Sequence, residues 1–155
     1  MDAAFQEYIE KLHPSFERLV SMSPVTIRSL PRGLPRQCIY LFSEGEHHLY
    51  AGRSNNFRKR LSQHSIDSAQ HNQAVFAFKL AREATGKTEV SYKPEGSRGA
   101  LAADPEFAQA FLSAKRHVRV MDLRYVEEAD QLRQTLLEIY ASMVLQTPYN
   151  DSATH

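Results

Sequence analysis

Cysteine is nearly absent from this chain: Cys38 stands alone among 155 residues, so no disulfide can form within it. No apolar run approaches the roughly 20 residues that span a bilayer. The start, Met1-Asp2-Ala3-Ala4, has no basic stretch leading into an apolar one and does not read as a secretion signal. These absences together point to a reducing, cytoplasmic setting. A large charge of either sign is also missing. Nineteen lysines and arginines stand against 18 acids, and a net charge of +1 does not advertise a polyanionic partner. No repeat, low-complexity tract or separate targeting module is visible.

What is present is ordinary globular material, 42% hydrophobic and 24% charged, long enough for one domain with a proper core. The charge is unevenly spread. Between Arg28 and His64 seven cations (Arg28, Arg32, Arg36, Arg53, Arg58, Lys59, Arg60) face two acids, Glu44 and Glu46. A local basic surface can hold a polyanion although the whole chain is near neutral; a solvated charged face is the plainer alternative.

Asp2 is placed to cap a first helix with Phe5, Tyr8, Ile9 and Leu12 at helical spacing, which Pro14 should interrupt or restart before Phe16, Leu19 and Val20. Three prolines and Gly33 make 23–35 a linker. Residues 1–36 thus read as a helical extension and linker, ahead of a domain over 37–155. Cys38 to Phe42 favours a strand, Ser43 to Glu46 a turn, and His47 to Arg53 the returning strand. The turn length decides faces: a three-residue loop centred on Gly45 sets Tyr40 opposite Tyr50 on one face, and a two-residue loop parts them. Helices are expected from Ser54 or Asn55 to His64, from Asn72 to Ala84 with Gly86 as stop, and from Asp104-Pro105 onward. Lys87 to Ala103 reads as an exposed insertion, His117 to Val126 as a strand, and Glu128 to Leu145 as a final helix. This order predicts an α+β fold, a small, mostly antiparallel three-stranded sheet flanked by helices.

Five side chains suit phosphodiester hydrolysis, which needs an oriented water, positive charge on the transition state and help for the leaving oxygen. Arg60 and His64 are one helical turn apart and share a face. Arginine offers phosphate a fixed fork of donors and keeps its charge. Tyr40 and Tyr50 can bring phenols to the same phosphate. Glu138, among apolar helical neighbours, is a hard oxygen ligand suited to Mg²⁺ held mostly by water and substrate. Each also has a plainer role: core aromatics for the tyrosines, surface groups for Arg60, His64 and His71, a partly exposed edge acid for Glu138.

Cys38-Ile39-Tyr40, Tyr50-Ala51-Gly52, Arg60, Glu138 and Tyr149-Asn150, taken together, resemble the GIY-YIG nuclease superfamily. The resemblance covers about residues 37–150, with an insertion at about 87–116. Cys38 stands where the motif has glycine, and Ala51 where it usually has isoleucine or valine. The resemblance implies a metal-dependent DNA endonuclease working by a one-metal mechanism with Mg²⁺ or Mn²⁺. It implies that Tyr40 engages the attacking water, Tyr50 contacts the scissile phosphate, Arg60 stabilises its charge and Glu138 binds the metal, with His64 assisting. Arg53, Ser54, Arg58, Lys59, His71 and Asn150 are the implied nucleic-acid contacts or supports, on duplex or branched DNA, and a homodimer is open because one centre cuts one strand.

Two other readings stand beside it. One is a non-catalytic module that keeps the fold to grip nucleic acid or a protein, favoured by the near-neutral charge and the missing targeting module. The other is a zinc site from His47, His48, His64 and His71, for which the cysteine pair and the His-x-x-x-His spacing are lacking.

Overall fold

The computed structural model describes residues 1–87 and 98–150. The fold is α+β, with a three-stranded antiparallel sheet in the order β2-β1-β3 flanked by helices. The elements run α1 (Ala3–Ser21), β1 (Cys38–Glu44), β2 (His47–Ser54), α2 (Phe57–Ser65), α3 (Val75–Thr85), α4 (Arg98–Ala103), α5 (Pro105–Val118), β3 (Asp122–Glu127) and α6 (Gln131–Leu145). They form two compact units: Met1–Arg58 with Met121–His155, and Lys59–Val120. Among the described residues no helix is long and apolar enough to cross a membrane.

In the first unit β1 lies between its neighbours and is buried from Cys38 to Ser43, as its apolar, aromatic composition requires. Ile39, Leu41, Ala51 and Val126 turn to one face and join Leu137 and Ala141 of α6 and Leu12, Phe16 and Leu19 of α1 in one core. Asp2 caps α1 through the Phe5 N–H at 3.0 Å. Pro14 does not interrupt this helix, which runs on through it to Ser21. An interior proline costs about 3 kcal/mol in an isolated helix; here the buried stripe from Leu12 to Leu19 offsets it.

The hairpin reaches its geometry by an unexpected route. Glu44 pairs with His47, so the loop is the two residues Gly45-Glu46, with Gly45 at φ +59°. Glycine first with positive φ is the type II′ pattern that suits strand twist. Such a loop alone would put Tyr40 and Tyr50 on opposite faces. A bulge restores the parity: Ser43 pairs with His48 but Phe42 with Tyr50, leaving Leu49 as the extra residue on β2. Tyr40 therefore opposes Gly52, not Tyr50, and the two tyrosines are diagonal neighbours on one face.

Other boundaries shift. The strand expected over His117–Val126 begins only at Asp122, because α5 continues to Val118 and buries that valine. The helices expected from Asn72 and Glu128 begin at Val75 and Gln131. Asp104 and Pro105 start α5 as their chemistry directs, and Gly86 ends α3 in the left-handed region. Of the expected exposed insertion, 98–103 is helical with Leu101 buried; 88–97 lies outside the described residues.

In the second unit α3 packs on α5 through Phe78, Phe107 and Phe111, with ring centroids 5.0 and 5.6 Å from Phe78. Lys115 is buried, its ammonium 4.3 Å from the Phe111 ring and donating to the carbonyls of Asp67 and Ala69. Arg116 and Arg119 grip the Asp67 carboxylate and hold its pKa down to about 2. The clasp fixes the loop after α2.

Candidate active site

The first group of side chains gathers on the hairpin. Tyr40 is 1% exposed, and its ring stands 6.5 Å from Tyr50, 5.8 Å from Phe42 and 5.4 Å from Phe57. It lies directly over Gly52: a Cβ there would collide with the ring and the phenol oxygen. Gly52 is thus required by close approach rather than by a positive φ. Tyr50 is half-buried beside it. Tyr125 faces Tyr40 from β3 and packs on Phe57 at 5.3 Å.

The second group closes the outer edge of β2. Glu138 on α6 lies beside Arg53, close enough for its carboxylate to feel that residue's guanidinium and backbone N–H. Burial raises its carboxyl pKa above the usual range, opposed by the Arg53 guanidinium and that N–H. Asn150 grips the strand two residues back. Its amide donates to the Ala51 carbonyl at 2.7 Å and accepts from the Ala51 N–H at 2.8 Å, while the Thr147 hydroxyl donates to the same oxygen at 2.7 Å. The Tyr149 N–H reaches the Leu49 carbonyl at 3.2 Å. Gln146, at φ 52°, ends α6 and begins the chain's turn back to the strand. Glu138 and Asn150 are therefore brought to the backbone of the stretch Tyr50-Ala51-Gly52-Arg53.

The remaining predicted residues fall otherwise. Arg53 is exposed, on the face opposite the tyrosines; Arg58 and Lys59 are exposed at the start of α2. Ser54 accepts from the Asn56 N–H at 3.0 Å and shapes the entry to α2. In the second unit Arg60 donates to the Gln73 carbonyl at 2.8 Å and to Gln63 at 3.3 Å. His64 is fully buried; desolvation, helped by the Arg60 charge, holds its imidazole well below the usual range and therefore neutral. His71 packs against Phe78 at 6.2 Å. Burial pushes the Cys38 thiol up, which makes it an inert hydrophobe.

Sequence reasoning passed over an amide network anchored on one buried member, Gln134. Asn55 accepts from Gln131 at 2.7 Å and from Gln134 at 3.1 Å, and Gln134 also donates to the Glu128 carbonyl at 2.7 Å. Gln134 is fully buried, one turn before Glu138, and fixes the start of α6 against the end of β2. The signal was available: an amide three and seven residues before Leu137 and Ala141 sits on the core face. Phe57, packed on both Tyr40 and Tyr125, was also missed.

A single divalent cation fits this donor set in one way only. Among the described residues no group of three or more histidine, cysteine or acidic side chains could enclose a metal. Glu138 offers one carboxylate at the strand edge, which suits a Mg²⁺ or Mn²⁺ held otherwise by water and substrate phosphate. Set against family models, curated proteins and solved structures, the chain matches none of them.

Proposed function

We propose that the chain is a divalent-metal-dependent DNA endonuclease of the GIY-YIG kind. What supports this reading is one short stretch of β2: the Tyr40 phenol over Gly52 and the adjacent Tyr50 on one face, and the Glu138 carboxylate beside Arg53. In this reading a phosphodiester lies along Tyr50 to Arg53, where the half-buried Tyr50 phenol donates to a non-bridging oxygen. Tyr40, held from four sides by aromatic rings and Gly52, orients Tyr50 and the water behind it. The resemblance implies that Arg60 supplies the positive charge that a developing phosphorane needs. Glu138 would hold Mg²⁺ or Mn²⁺; an ion bound there polarises phosphoryl oxygens and makes water a better nucleophile. Desolvation of Glu138 favours occupation by a cation, since an opposite charge relieves it.

The test is nicking of supercoiled plasmid with Mg²⁺ and with chelator. Glu138→Ala and Arg60→Ala are expected to stay folded by circular dichroism and to lose at least about 100-fold in rate, the scale of one lost transition-state contact. Equal cleavage by wild type and both variants would reject the proposal. The burial of Tyr40 and His64 favours a second reading, a nucleic-acid-binding module without turnover; a gel shift with no cleavage under any divalent metal would select it.

A further inference from the structure

We infer that a cavity beside the tyrosine face is a subsite for a backbone phosphate of the nucleic-acid strand, one that the scissile position does not occupy. The cavity measures about 400 Å³ and is lined by Leu34, Pro35, Arg36, Asn56, Phe57 and Arg58, within the ~300–1,000 Å³ typical of ligand sites. This inference rests on the nuclease reading only for the direction in which the strand continues.

Two chain segments build it. The arm ending at Arg36 is tied to the start of α2, where the Phe57 N–H donates to the Arg36 carbonyl at 3.0 Å. That bond ties the two segments together, and Arg36 and Arg58 both line the cavity. Phe57 forms the wall between this cavity and Tyr40, its ring touching both. A strand with one phosphate at Tyr50 can therefore place a neighbouring one here.

The charges favour an anion. From Arg18 to Ser43 the chain contains no acid while presenting Arg18, Arg28, Arg32 and Arg36. No described side chain pairs with the Arg36 guanidinium, which stays exposed. α2 opens with Arg58, Lys59 and Arg60 and has no acid in its first turn. Cations at the positive end of a helix are unfavourable for the helix itself. A bound phosphate reverses that local conflict and gives the exposed Arg36 guanidinium a bidentate partner. The Leu34 and Pro35 lining suits the sugar, whose apolar edge it can cover.

The experiment measures fluorescence anisotropy of a labelled 20-base-pair duplex and the matching single strand, in chelator and over a range of KCl. Arg36→Gln and Arg58→Gln are each expected to weaken duplex binding about 3- to 10-fold at 100 mM KCl. Each should also lower the slope of log affinity against log salt, and the double variant by about 0.9 for the duplex and about 0.7 for the single strand, one phosphate contact in all. Arg36→Lys should restore the slope but only part of the affinity, because it keeps the charge and loses the fork. Lys11→Gln, removing an α1 cation paired with Glu7 at 2.9 Å, should change neither. Unchanged affinity and slope in both arginine variants would overturn the inference. So would inorganic phosphate that binds wild type but not the variants while DNA affinity stays equal, since that assigns the site to a small free anion. Plasmid nicking is scored separately: nicking lost with the salt slopes as expected strikes only the catalytic reading, and normal nicking with unchanged slopes strikes only this one.

Discussion

The two outer edges of the sheet are sealed in opposite ways. On the β3 side the backbone of the arm does it: Val25 and Leu123 exchange N–H to carbonyl bonds at 2.9 and 2.8 Å, and Arg124 donates to the Met22 carbonyl. On the β2 side the sealing groups are largely side chains, with Asn150 bonded to Ala51 and the Glu138 carboxylate beside Arg53. An unsealed edge invites pairing with another chain, so both solutions answer the same hazard. They differ in what they demand of sequence. Backbone sealing tolerates almost any side chain; side-chain sealing specifies one amide and one carboxylate, and it leaves the carboxylate at a margin where a second partner can share it.

The largest expected effect follows from removing the amide. Asn150→Ala strands the N–H and carbonyl of Ala51 in a buried place and should cost about 2–4 kcal/mol in urea unfolding. Val25→Ala, which keeps both backbone bonds, should cost below about 1 kcal/mol. Equal losses would abolish the distinction between the edges. Next is Gly52→Ala, which drives a methyl into the Tyr40 ring and should cost about 1–3 kcal/mol. In a Tyr40→Leu background the same change should cost less than half as much, because the colliding ring is gone.

The smallest effect concerns Glu138, and its sign is opposite. Its carboxyl pKa is raised on folding, so its contribution to stability is complete below the unfolded value near 4.5 and is lost as pH rises through the folded one. Glu138→Gln lacks that loss. Thermal melts should show the variant gaining on wild type from about pH 4.5 upward and holding a higher midpoint at neutral pH. A lower midpoint at pH 7 would mean that the Arg53 contacts outweigh desolvation.

Local chemistry was legible in the sequence wherever a single residue decides it. Asp104-Pro105 announced α5, Gly86 closed α3, and the aromatic run at Cys38 announced β1. Glu138 was conspicuous because its helical neighbours are apolar. The failures were of another kind. Pro14 should have broken α1, but distant packing overrides it. Val118 and Val120 alternate as a strand would, yet the first is buried as the last residue of helix α5. The closing amide bonds between Ala51 and Asn150 join residues 99 apart, which no local pattern carries.

The Leu49 bulge carries a consequence for the evolution of the hairpin. Turn and bulge each invert the side-chain alternation, and the phenols meet only because the two inversions cancel. A lone one-residue insertion or deletion anywhere between Tyr40 and Tyr50 would separate them, whereas compensated pairs, such as one residue added at Gly45 and Leu49 removed, would leave them together. Length variation in this segment is therefore constrained by whether the net number of residues gained or lost is even, far more than by which amino acids fill it.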